Sequence, residues 1–137
     1  AVKLDTNGSF PEKLQHLVQA GLVDYVAMDI KNAPGYYGET IGMDNRYDEA
    51  IAQSVSFLLK GYVDYEFRTT VTKNYHTEAR FEEIGQWIQG AKRYFLQGFV
   101  DSGDLIEQKI EGVSKEAMEL FLKKVKPFIP SAELRGV

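Results

Sequence analysis

A chain of 137 residues, 44% of them hydrophobic, is long enough to bury one core and too short to call for two domains. Its net charge of −4, with no Lys/Arg cluster interleaved with aromatics, argues against nucleic acid, whose phosphates need a basic face. It has no cysteine, which removes disulfides, thiol nucleophiles and thiolate-bound metals or clusters from the chemistry of these residues.

The chain opens on a strand-like run, Val2–Thr6, with no signal-peptide pattern before it, as a segment cut from a longer protein would. Pro11 suits the first turn of a helix striped by Leu14, Leu17 and Val18, and Gly21 suits its C-terminal cap. A second strand, Tyr25–Lys31, leads into a long connection over Asn32–Asp44. Ile51, Val55, Leu58 and Leu59 line a second helix that Gly61 ends, and Tyr65–Thr72 is the third strand. Thr77 then N-caps a helix carrying Phe81, Ile84, Trp87 and Ile88. The fourth strand, Tyr94–Val100, is followed by another long connection, Asp101–Gly112. Ser114 N-caps a last helix striped by Met118, Phe121, Leu122 and Val125, Pro127 ends it, and Glu133–Val137 reads as a short strand or tail.

Strand–helix alternation of this kind predicts an α/β fold with a parallel sheet and right-handed crossovers. No solenoid repeat or low-complexity stretch is visible. No apolar run approaches the roughly 18 residues of a membrane helix, so no membrane partner is expected. A cytoplasmic location is compatible with the missing cysteines.

Ligands of parallel α/β folds bind beyond the C-terminal ends of the strands. Those ends are Asp5-Thr6-Asn7-Gly8, Asp29-Ile30-Lys31, Arg68-Thr69-Thr70 and Gln97-Gly98. Side chains alternate faces along a strand, so Val26, Met28 and Ile30 are expected to pack on helices, with Ala27, Asp29 and Lys31 on the other face. By the same parity Lys3 pairs with Asp5, and Glu66 with Arg68. Three strands thus each place an acid and a base on one face. Any one such residue is explained as a helix cap or surface pair, but a converging set implies a polar site or a paired network, because a lone buried ion is costly. His16 reads as a surface or boundary residue and His76 as a loop residue, and their separation makes no metal-ligand spacing. Trp87 and Phe81 read as core. Tyr36 and Tyr37 read as loop anchors rather than a stacking platform. The stretch Gly35-Tyr36-Tyr37-Gly38 lacks the strand-to-helix context of a dinucleotide fingerprint.

The strings LDTNG, LVDYVAMDIK, YEFRTTV and FLQGF occur in that order, and ELRGV closes the chain. Together they resemble the radical S-adenosylmethionine activases of glycyl radical enzymes. The likeness is greatest to activating proteins of anaerobic ribonucleoside-triphosphate reductase, with pyruvate formate-lyase activating enzyme as the related branch. The resemblance runs over nearly the whole chain. It implies the third to sixth βα units of a partial (β/α)6 TIM-like barrel, a single domain over residues 1–137 without the cluster-binding N-terminal units.

It also implies, for the parent protein, a 4Fe–4S cluster held by Cys-x-x-x-Cys-x-x-Cys and a Gly-Gly-Glu segment for the methionine amino group. Neither motif occurs here, so the chain alone is expected to be inactive. Carried over, Asp5, Thr6 and Asp29 match ligands of a monovalent cation, Na+ or K+, beside S-adenosylmethionine. Asp5, Thr6, Asn7, Asp29, Lys31 and Gln97 become the cofactor-binding set. Lys31 and Arg68 become the catalytic residues, Arg68 near cofactor and substrate. Two departures stand out: Ala27 replaces a methionine that helps hold the cation, and Leu96-Gln97-Gly98-Phe99 replaces a stretch ending in histidine, leaving Gln97 to supply a hydrogen bond. The implied partners are a glycyl radical enzyme as protein substrate and reduced flavodoxin or ferredoxin as electron donor. The rival readings are a Schiff-base lyase using Lys31 and a non-catalytic α/β interaction module.

Overall fold

The computed structural model describes residues 2–37, 48–73, 75–98 and 112–136. In chain order the elements are β1 (Lys3–Thr6), α1 (Pro11–Gln19), β2 (Tyr25–Asp29), α2 (Asp48–Leu59), β3 (Asp64–Val71), α3 (Glu78–Trp87), β4 (Tyr94–Gly98), α4 (Lys115–Val125) and β5 (Glu133–Arg135). Most of the two long connections, at 38–47 and 99–111, lies outside the described residues, as do Phe99, Val100 and Val137.

The local signals act as their chemistry requires. Pro11 opens α1. Thr77 and Ser114 accept the backbone N–H of Arg80 and Ala117, capping α3 and α4. At the end of α1, Gly21 takes a left-handed φ of +71°. Its N–H donates to Val18 O, and Leu22 N–H to Leu17 O, the paired bonds of a Schellman cap.

All neighbouring strands are parallel, and their order is β1-β2-β3-β4-β5. A sheet that never reverses its strand order has no switch point, and same-handed crossovers place every helix on one face. This is the winding of a barrel segment. Burial follows it. Val26, Met28, Tyr65, Phe67, Val71, Tyr94 and Leu96 join Leu14, Ile51, Leu58, Phe81, Ile84, Met118 and Val125 in one buried cluster. The opposite face carries Lys3, Asp5, Asp29, Arg68 and Gln97, with no helix over it among the described residues.

A short repeat, not evident from periodicity, links two successive turns: Gly21-Leu22-Val23-Asp24-Tyr25 and Gly61-Tyr62-Val63-Asp64-Tyr65. The two copies enter adjacent strands one residue out of register, since Tyr25 lies opposite Asp64 rather than Tyr65. A one-residue slip exchanges the faces. Tyr65 is therefore buried among the helices and packs on Phe67, with ring centroids 5.2 Å apart, whereas Tyr25 lies on the open face and donates to Glu66 Oε1 at 2.9 Å.

Candidate functional site

Register places Asp5 level with Ala27, and Asp29 level with Arg68, at the C-terminal ends of three neighbouring strands. One nitrogen of Arg68, Nη2, lies 3.5 Å from Asp5 Oδ1 and 3.3 Å from Asp29 Oδ1. Lys31 Nζ lies 3.4 Å from Asp29 Oδ2. The Arg68 side chain is 18% exposed and that of Asp5 65%, so the cluster runs from a half-buried guanidinium outward to solvent. Arg68 Nε is buried without a hydrogen-bond partner among the described residues, a donor left for a water or another group to satisfy.

The other expected residues are distributed differently. Thr6 has the parity of the helix-covered face, and its Oγ1 accepts the N–H of Gly8 at 3.0 Å. Asn7 Oδ1 accepts from both N and Oγ of Ser9 in an exposed turn. Gln97 is on the open face, level with Thr70 and Arg135, one pleat beyond Arg68. Glu66 lies on the same face, level with Ala27 and Asp5, but its carboxylate turns to other partners, and Lys3 stands one pleat nearer the strand starts. The buried Glu66 carboxylate accepts from Tyr25 Oη and, at 3.2 Å, from Arg135 Nη1. Lys3 Nζ lies 5.9 Å from the Tyr25 ring centroid. Burial, then Glu66, raises the Tyr25 phenol above its usual pKa. This Tyr25–Glu66–Arg135 network occupies the open face beside the Asp5–Asp29–Arg68–Lys31 cluster.

What holds Lys31 in place was not legible in the sequence. The ladder between β2 and β3 stops at Asp29 because side chains intercept the next backbone groups. Thr69 Oγ1 donates to Ile30 O at 2.7 Å, and Lys31 N–H donates to Tyr37 Oη at 2.9 Å. His76, buried to 5% exposure, accepts the Thr72 N–H at Nδ1 and faces Lys31 O with Nε2, both at 2.9 Å. The first bond fixes the tautomer, so Nε2 carries the proton and donates. Burial holds the His76 pKa below its usual value against the raising influence of those two backbone contacts. Burial likewise pushes the Tyr37 phenol up, keeping it neutral. Tyr37 and Trp87 meet edge to face at 6.3 Å, and Tyr37 is an anchor, as expected. His76 has no motif around it, and only the tertiary fold brings it to the strand end.

Among the described residues no group of three or more His, Cys, Asp or Glu converges as a metal cage would. A cleft lined by Ser9, Phe10, Glu12, Lys13, Glu49 and Gln53 lies between the first turns of α1 and α2, away from the charged cluster.

Over 141 residues the chain is 28% identical to a protein of Methanocaldococcus jannaschii whose name assigns it as a glycyl-radical enzyme activating enzyme. The resemblance to activating enzymes of glycyl radical enzymes is borne out in general terms. The match covers 99% of this chain but 59% of that protein, so the chain spans less than two thirds of its relative's length. A crystal structure of a domain of pyruvate-formate lyase-activating enzyme from Bacteroides vulgatus superposes with a TM-score of 0.74 at 12% identity, covering 98% of this chain and 80% of that one. That likeness establishes the shared α/β fold, a portion of a TIM-like barrel. No protein-family profile matches the chain.

Proposed function

We propose that this chain is the C-terminal part of a radical S-adenosylmethionine activase, a single domain that forms one side of the cofactor pocket of a longer protein. The observation that carries the reading is the acid–base cluster of Asp5, Asp29, Lys31 and Arg68 at the C-terminal ends of three consecutive parallel strands. That is where parallel barrels bind and react their ligands. Its support is the match to a glycyl-radical enzyme activating enzyme along the whole chain.

The cluster fits a zwitterionic cofactor. Lys31 and Arg68 present cations to a carboxylate, and Asp5 and Asp29 present carboxylates to an ammonium, a sulfonium or ribose hydroxyls. Gln97 stands on the same open face one pleat beyond Arg68 and would offer its amide to the adenosyl end, whereas Thr6 and Asn7 would shape the strand-end turn beside the pocket. With no cysteine in the chain, cluster ligands belong to residues outside these 137. Asp5, Asp29, Lys31 and Arg68 would hold S-adenosylmethionine, which beside a reduced 4Fe–4S cluster from the rest of the parent protein would supply the radical chemistry for activating a partner's glycine. Arg68 and Lys31 would hold the reacting groups in position, with the Tyr25–Glu66–Arg135 network beside them on the same face. The partner is a glycyl radical enzyme such as anaerobic ribonucleotide reductase, and reduced flavodoxin or ferredoxin supplies the electron, in the cytoplasm.

The Schiff-base reading is less well supported. Lys31 Nζ is paired with Asp29 and its side chain is 40% exposed, whereas an imine-forming lysine is activated by a desolvated pocket or a second cation. The test is to read the coding sequence upstream of Ala1 and express the whole frame without oxygen. An in-frame Cys-x-x-x-Cys-x-x-Cys and reductive cleavage to 5′-deoxyadenosine and methionine support the proposal. A frame that supplies no such motif overturns it and leaves the interaction module.

A further inference from the structure

Asp5 and Asp29 form the pair of carboxylates between which the resemblance places Na+ or K+. The geometry gives that place to a side chain. We propose that the guanidinium of Arg68 is the resident cation of this site, so that the chain takes up no monovalent metal ion between Asp5 and Asp29.

The activase reading supplies only the expectation of the ion; the argument against it stands on the residues. Arg68 Nη2 lies between the two carboxylates, at 3.5 Å from Asp5 and 3.3 Å from Asp29, the position from which a metal ion would bridge them. Charge is already balanced there. Asp5 and Asp29 carry two negative charges, Arg68 and Lys31 two positive ones, and an added cation meets a neutral group rather than a dianion. The oxygen donors are also too few. Hard cations gather several oxygens, but the Thr6 hydroxyl is on the helix-covered face with the Gly8 N–H, and no third acid joins the pair among the described residues.

The sequence makes room for the arginine. To reach Asp5 on β1 from β3, Arg68 must cross β2 between Asp29 and the residue one pleat before it. That residue is Ala27, fully buried and level with Asp5. A long side chain at 27 would stand in the crossing. The departure at Ala27 and the bridging by Arg68 are thus two parts of one substitution of an organic cation for a metal ion.

The test uses the 137-residue chain and K+ alone, with Tl+ as its spectroscopic substitute. Thermal unfolding is followed in chloride salts of K+, Na+ and tetramethylammonium at one ionic strength, and Tl+ uptake is followed by thallium-205 NMR. For the wild type the three melting temperatures are expected to coincide and the thallium line to stay unshifted. Arg68→Gln leaves the two carboxylates facing each other. It is expected to gain a K+-specific rise of about 5 °C once K+ exceeds its dissociation constant about tenfold. Arg68→Lys keeps a fixed cation and is expected to remain indifferent to K+. Specific K+ stabilisation or Tl+ uptake by the wild type overturns the proposal, as does a folded Arg68→Gln chain that ignores K+. Should Arg68→Gln fail to fold, the wild-type thallium spectrum decides alone. Wild-type K+ binding would leave the activase reading intact, while a parent frame without the cluster motif would remove that reading and leave the ion-pair result standing.

Discussion

His76 joins two strand ends through one ring, and the consequences can be measured without any knowledge of the cofactor. Its Nδ1 takes the Thr72 N–H and its Nε2–H reaches Lys31 O, so a side chain unable to span both leaves a buried backbone group unpaired. Such a group costs about 1–3 kcal/mol, and His76→Gln is expected to lower stability by that amount near neutral pH. The difference also depends on pH. Burial lowers the folded-state pKa of His76 below the usual 6.5, so the unfolded chain binds the extra proton more readily. The contribution of His76 is therefore complete above about pH 6.5 and is lost as pH falls through the lower folded value. Urea melts at about pH 7.5 and about pH 5.5 are expected to show the gap between wild type and His76→Gln narrowing on the acid side. A gap that stays constant would mean that the ring is not buried as a neutral acceptor and donor. Gly8 makes a second prediction of this kind. It has φ +80°, its carbonyl accepts from Ser54 Oγ at 2.7 Å, and a Cβ there would run into the Met28 side chain. Gly8→Ala is expected to cost about 2 kcal/mol or more, from the left-handed backbone and the overpacking together.

At the scale of elements, the repeated G-x-V-D-Y turn shows what sequence patterning captures and what it misses. Strand and helix identities, the caps at Thr77 and Ser114 and the short β5 were legible because period, cap chemistry and proline act locally. Face assignment along β2 and β3 was legible because parity is a property of the strand itself, which is why Asp5, Asp29 and Arg68 were expected together. That Glu66, level with Asp5, turns its carboxylate to Tyr25 and Arg135 rather than to Arg68 was not legible, since those partners come from other strands that no local pattern pairs. The same holds for His76 and Tyr37, which reach Lys31 through loops. Tyr25 and Tyr65 test the register directly. Tyr65 is 2% exposed among the helices, so Tyr65→Ala is expected to cost about 3–5 kcal/mol, as for a large aromatic lost from a core. Tyr65→Phe should cost much less, because among the described residues the hydroxyl it removes accepts one bond, from Lys92 N–H at 3.3 Å. At Tyr25 the order reverses in kind. Its hydroxyl meets the buried Glu66, so Tyr25→Phe alone should account for most of the effect of Tyr25→Ala, about 1–3 kcal/mol. Chemical denaturation of the four variants checks this, and equal Phe and Ala effects at Tyr65 would contradict the register.

For the molecule as a whole, the sheet begins and ends on open ground. β1 pairs with β2 alone and β5 with β4 alone among the described residues, and β1 is the longer of the two edges. Its outer backbone groups have no strand to pair with, and Val2 and Phe10 flank it at 53% and 60% exposure. An unprotected parallel edge of this kind is a template for another chain. Natural edges are usually blunted by lysine, proline or a bulge, and among the described residues of β1 Lys3 alone serves that purpose. The 137-residue chain on its own is therefore expected to self-associate through β1, with a sedimentation coefficient that rises with concentration across the micromolar range. Leu4→Pro removes an N–H that the register turns toward β2, so it is expected to lower the melting temperature without restoring a concentration-independent monomer. Val2→Lys separates the two effects, because it adds charge at the edge without touching the ladder. A wild-type chain that sediments as one sharp monomer throughout would show that β1 is already covered, and the masking segment would then have to come from within the chain.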